Sequence, residues 1–231
     1  ISDIAVTKLT DEIIELNKLL PNPIQEKTTC NKLDLFWNIP LKYKSLDLQT
    51  YFFVICEKFQ LMKNYSDSII RLKEKDLKFR VHLLQENLLS EDYHAEMEKI
   101  HIDNAIKLKH IIKEIGFPTV QKVGQEAYEA AWLIIQHAIS LPIFMKSCLR
   151  LMKREKKEVN PIDIAYLEDR ICFFENKPQL YGTQFDWDEN GILIPAPFDD
   201  LEKVNDRRKK LKLNTLEHQT AHLRTEAKME N

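Results

Sequence analysis

Apolar residues recur at helical spacing along most of this chain, and its four glycines leave few places where the backbone can turn freely. Ile4, Leu9, Ile13, Leu16 and Leu20 begin the pattern. Pro21-Asn22-Pro23 ends it, because proline removes a backbone donor and restricts the residue before it. After a loop to about Ser45, apolar positions from Tyr51 through Leu83 predict two helices over 46–85, or one long one, with a break near Asn64-Tyr65-Ser66-Asp67, where Ser66 or Asp67 serves as N-cap.

Ser90-Glu91-Asp92 is a helix start, and Met97, Ile100, Ala105, Leu108, Ile111 and Ile115 carry that helix to Gly116-Phe117-Pro118. Further helices are expected over about 125–140, from Pro142 to Lys153, and from the Asn160-Pro161 cap to about Glu175. Beyond Lys177-Pro178 the period changes. A β-hairpin is predicted over about 181–195, turned at Asp188-Glu189-Asn190-Gly191. A last helix over 199–212 precedes a tail with so little apolar material that it is expected to fray. The fold class is therefore mainly α: a multi-helix, bundle-like domain with one small β-hairpin near the C-terminus. Its expected parts are an N-terminal helical extension (1–70), a main domain (71–216) and a polar tail (217–231).

Composition narrows the function classes. The 34 basic and 36 acidic residues nearly cancel, so no global field draws the chain to nucleic acid or an anionic membrane. The runs Tyr51 to Cys56 and Ala130 to Ile135 fall far short of the roughly 20 residues of a membrane span. Basic runs such as Arg207-Arg208-Lys209-Lys210 are flanked by acids and read as solvated helix faces. Four cysteines lack C-x-x-C pairing, and Cys56 and Cys172, in apolar runs, read as free buried thiols that suggest a reducing compartment. No glycine-rich phosphate loop or G-x-S-x-G elbow occurs, and no cofactor is expected. His94 and His101 lie seven residues apart, with Asp103 and His110 beyond. That is too long for two ligands of one ion on one helix, so no metal is expected.

Polar residues gather at two segments without surface-like surroundings. Gln136 and His137 sit in an apolar helix; Gln179, Tyr181, Thr183 and Gln184 follow the helix carrying Asp169 and Arg170. Adjacent helical residues diverge by about 100°, so Asp169 and Arg170 must find partners elsewhere. Two accounts stand. Asp169 could clamp the loop, with Arg170 bonding its carbonyls. Alternatively, Arg170 and the amides of Gln136, Gln179 and Gln184, with Thr183, bind a small polar or anionic ligand while His137, Asp169 and Tyr181 do acid-base work. A lone histidine on an apolar helix also fits a satisfied core residue.

Gln136-His137-Ala138, Leu167-Glu168-Asp169-Arg170 and Tyr181-Gly182-Thr183-Gln184, together with Gly116-Phe117-Pro118, Gly124, Lys177-Pro178-Gln179 and Asp206-Arg207-Arg208, resemble the motifs of an uncharacterised bacterial family abundant in Bacteroidetes and actinobacteria. The resemblance spans about residues 76–216. It implies a ligand-handling site without naming a reaction, and a bacterial setting: cytoplasm, or export if a leader precedes Ile1. The rival function is a helical interaction module, such as an exported effector, whose N-terminal helices bind a protein partner while the motif residues brace the hairpin. A third is homodimerisation through exposed Tyr51, Phe52 and Phe53.

Overall fold

The computed structural model describes residues 46–86, 88 and 93–229, with side chains described between 60 and 227 of these. The helix expected over 4–20, the loop after it, the side chains of Tyr51, Phe52 and Phe53, and Ser90-Glu91-Asp92 lie outside the described residues. Two units divide the chain, residues 1–64 and 65–231. The expected mainly α architecture with a small hairpin near the C-terminus is the one the chain adopts. No described helix is long and apolar enough to cross a membrane.

Helix α1 runs from Leu46 to Gln85 without a break at 64–67. Ser66 does not cap a second helix; its hydroxyl donates to the Val123 carbonyl at 2.8 Å and ties α1 to a later element. Ile69, Asp76 and Leu83, each two helical turns from the next, lie on its buried side. Helix α2, Ala95–Ile115, is capped by His94, whose Nδ1 accepts from the Glu96 N–H. It stops at Gly116, whose positive φ lets its N–H reach the Ile112 carbonyl.

The short α3, Val120–Val123, leads into α4, Gln125–His137. Ala127, Tyr128, Ala130, Ala131, Ile134, Ile135 and Gln136 are buried on nearly all sides of α4, which packs against α2, α3, α5 and α6. Helices α5, Pro142–Arg154, and α6, Pro161–Phe174, close the core around Leu108, Phe117, Met145, Met152 and Leu167. Tyr128 Oη donates to Asp163 at 2.5 Å, fastening α4 to the start of α6. Helix α4 ends at His137 rather than near residue 140, so the histidine occupies a helix end.

Strands β1, Phe185–Trp187, and β2, Leu193–Pro195, pair antiparallel with Phe185 opposite Pro195. Gly191, at φ 68°, closes the turn, and Asp188 Oδ1 accepts from the Asn190 and Ile192 N–H groups. Helix α7, Leu201–Lys210, is capped by Asp200. The residues expected to fray form helix α8, Leu216–Met229. Little apolar material is needed there, because Leu216 is fully buried and Arg224 Nε donates to the Leu193 carbonyl at 2.7 Å. Arg208 corrects the solvated-face reading of its basic run: it is 2% exposed, its guanidinium taken up by backbone carbonyls.

Candidate functional site

Asp76 is a charged residue in the buried face of α1, and its side chain is 1% exposed. Burial alone would raise its pKa, but its two oxygens are matched. Oδ1 lies 3.1 Å from His101 Nε2 on α2, and Oδ2 lies 2.6 Å from His137 Nδ1 at the end of α4. These hydrogen bonds outweigh desolvation and hold the carboxyl well below the usual range. The two imidazole centroids are 4.6 Å apart. His101 is almost covered, whereas the His137 side chain keeps 24% of its surface exposed.

The other nitrogen of His101, Nδ1, lies 2.5 Å from Tyr93 Oη. Asp76 accepts at Nε2, so in the neutral ring Nδ1 is the acceptor and the Tyr93 hydroxyl donates. Burial pushes the Tyr93 phenol up to about 12, with Glu98 and Asp76 adding to the shift and Arg170 opposing it. Arg170 NH1 donates to Gln184 Oε1 at 3.2 Å, and its guanidinium lies over the Phe174 ring at 5.8 Å.

Asp169 faces elsewhere. Its carboxylate accepts the N–H groups of Leu180 at 2.7 Å, Tyr181 at 3.1 and 3.2 Å, and Thr183 at 2.9 Å. Burial pushes its pKa up and these N–H groups pull it down. Gln179, fully buried, repeats the arrangement: Nε2 donates to the Gln184 and Ala196 carbonyls and Oε1 accepts the Gln184 N–H at 2.7 Å. Arg208 spans the same loop, donating to the carbonyls of Tyr181, Gly182 and Asn214. These partners occupy residues 179–184, which is why the first strand begins at Phe185 rather than at Tyr181.

The structure therefore places the predicted residues in two groups. His137 joins Asp76, His101 and Tyr93. Asp169, Gln179, Thr183 and the Tyr181 backbone form the loop clamp, and Thr183 Oγ1 accepts from Gln184 Nε2 at 3.1 Å. Arg170 bonds the loop residue Gln184, and its charge opposes the upward shift of the Tyr93 phenol. Gln136, next to His137, has a buried Nε2 without a partner; Arg170 Nε and Asn104 Oδ1 share that condition among the described residues.

Sequence reasoning missed Asp76, and it set His101 apart from His137. Spacing along one helix excluded a shared ion, but three helices supply this cluster. A signal existed: Asp76 repeats the position of Ile69 and Leu83, and His101 interrupts the stripe of Met97, Ala105 and Leu108. A titratable residue in an apolar stripe needs a buried partner.

A family model described as "Family of unknown function (DUF6624)" matches residues 72–228. No curated protein and no solved structure matches the chain.

Proposed function

The chain belongs to that family, and we propose that its helical domain binds, and hydrolyses or otherwise acts on, a small polar or anionic ligand at the Asp76-His101-His137 cluster. His137 is the acid-base group. Its Nδ1–H donates to Asp76, which fixes the ring and leaves Nε2 as the atom that exchanges a proton with a bound molecule. Asp76 orients both imidazoles, and Tyr93 fixes the tautomer of His101. Arg170 and Gln136 supply the ligand's counter-groups: each holds a buried N–H donor without a protein acceptor, the complement of an anionic oxygen. Asp169, Gln179, Tyr181 and Thr183 serve by holding the loop that presents Gln184 to Arg170.

The observation that carries this reading is a single one. A buried carboxylate gives both oxygens to histidines from two other helices, and one of these histidines remains open to solvent. Calorimetric titration with inorganic phosphate and acetate tests it, alongside the melting of Arg170→Ala, His137→Gln and Gln184→Ala. A pocket predicts near-normal melting with binding lost in the first two variants. If Arg170→Ala and Gln184→Ala both unfold while His137→Gln binds as the parent does, the residues are braces and the reading fails.

The interaction-module alternative draws on a different observation. Leu77, Val81 and Leu84 are 40%, 51% and 52% exposed along one side of α1. That reading predicts that Val81→Lys abolishes capture of a protein partner while leaving anion binding intact.

A further inference from the structure

We infer that Asp76, His101 and His137 form a binding site for one first-row divalent transition ion, held by two imidazole nitrogens and one carboxylate oxygen. The inference deepens the proposed function and rests on its reading of the cluster as the working site. Asp76 Oδ, His101 Nε2 and His137 Nδ1 all lie within 4.8 Å of one another. Around an ion with bonds of about 2.1 Å, tetrahedral ligand atoms lie about 3.4 Å apart, so shifts of about 1 Å per side chain close the set. Each nitrogen is already inside that distance of one carboxylate oxygen, His101 Nε2 at 3.1 Å from Oδ1 and His137 Nδ1 at 2.6 Å from Oδ2, so a small rotation of the Asp76 carboxylate brings a single oxygen to both.

The donor set selects the class of ion. Two imidazoles and one carboxylate suit zinc, iron, cobalt or manganese, whereas magnesium and calcium favour oxygen ligands throughout. Three protein ligands leave coordination positions free for water or for an oxygen of the ligand. The surroundings fit as well. Tyr93 Oη sits on the remote nitrogen of His101, where an outer partner fixes a metal-bound imidazole. In the ion-bound state the His101 proton moves to Nδ1 and donates to Tyr93, whose hydroxyl turns away. The partial exposure of His137 provides an entry path, while Asp76 and His101 are shielded. A hydrogen-bonded brace explains the contacts to Asp76 but not the partial exposure of His137.

An ion here changes the division of labour in the proposed function. His137 Nε2 then carries the ring proton, and proton transfer passes to a water at a free coordination position, whose pKa the ion lowers. Arg170 and Gln136 keep their roles toward the anionic ligand.

The test uses the full chain, stripped with a chelator and titrated with Zn2+ by calorimetry and with Co2+ by visible absorption. One equivalent of each should bind, with Co2+ bands of a low-coordinate nitrogen and oxygen site, and Mg2+ should not compete. His137→Gln, at a partly exposed position, should weaken Zn2+ at least tenfold. Tyr93→Phe should weaken it about 10- to 100-fold, as loss of an outer partner does. The absence of a saturable equivalent in the parent chain overturns the inference, as does Zn2+ affinity unchanged in His137→Gln. Phosphate binding by the chelated protein separates the two readings: if it persists, depends on Arg170, and no ion binds, the metal site falls while the ligand site stands.

Discussion

His137 Nδ1 lies 2.6 Å from Asp76 Oδ2 across 61 positions of sequence, and this contact joins the end of the central helix to the buried face of α1. His101 takes the other oxygen, so one carboxylate fixes the mutual placement of α1, α2 and α4. Its removal has both a stability cost and a pH signature.

Asp76→Ala should destabilise the domain by about 3 kcal/mol or more, because it leaves two imidazole N–H groups without their acceptor. The pH dependence follows from the direction of the shift. The carboxyl is held below its ordinary value of 3.8, so its contribution is present above that pH and is lost as pH falls below it. Denaturant unfolding of the parent and Asp76→Asn across acid pH should show a gap that narrows below about pH 4. A gap that widens in acid would show that the hydrogen-bonded carboxylate is not what stabilises α1.

Asp169→Ala should loosen the 179–184 loop rather than the helical core. Three backbone N–H groups lose their acceptor, at a cost of about 3 kcal/mol in total. Hydrogen exchange resolves the consequence: the amides of Leu180, Tyr181 and Thr183 should lose protection while those of α4 keep it. Equal loss in both regions would contradict the division between clamp and cluster.

Gly182 adopts φ 63°, and a Cβ built there meets Leu216 Cδ1 at 2.8 Å and Cδ2 at 2.9 Å. Gly182→Ala should cost about 2 kcal/mol through backbone strain and steric overlap. In Gly182→Ala with Leu216→Ala the total should be less than the sum of the single changes, since the truncated leucine removes the overlap. Additive costs in thermal melting would show that the loop and the start of α8 do not press on each other.

Helices were legible wherever apolar residues repeat at i, i+3 and i+4 and a cap or proline punctuates them, as at Asn160-Pro161 and Gly116-Phe117-Pro118. The hairpin was legible from Asp188 to Gly191 and its change of period. Helix α8 was not, since one buried leucine and Arg224 anchor a segment that is otherwise polar. In the site, the need of Asp169 and Arg170 for separate partners followed from helix geometry alone. The meeting of Asp76 with His101 and His137 did not, because its components come from three helices and no local spacing encodes a tertiary crossing. Arg208 stood in a segment that resembles the family's motifs, but its basic run read as a solvated face, because the three carbonyls it bonds belong to residues near and far in sequence.

The central claim is that His137 and Arg170 serve one bound anion. Nitrogen NMR of the imidazole and guanidinium groups, recorded while phosphate or acetate is added to the chelated protein, tests it most directly. The account predicts that His137 and Arg170 signals move together along one saturating curve, and that Arg170→Ala abolishes the His137 response. Signals that stay fixed with both anions, or a His137 response unchanged in Arg170→Ala, would contradict it.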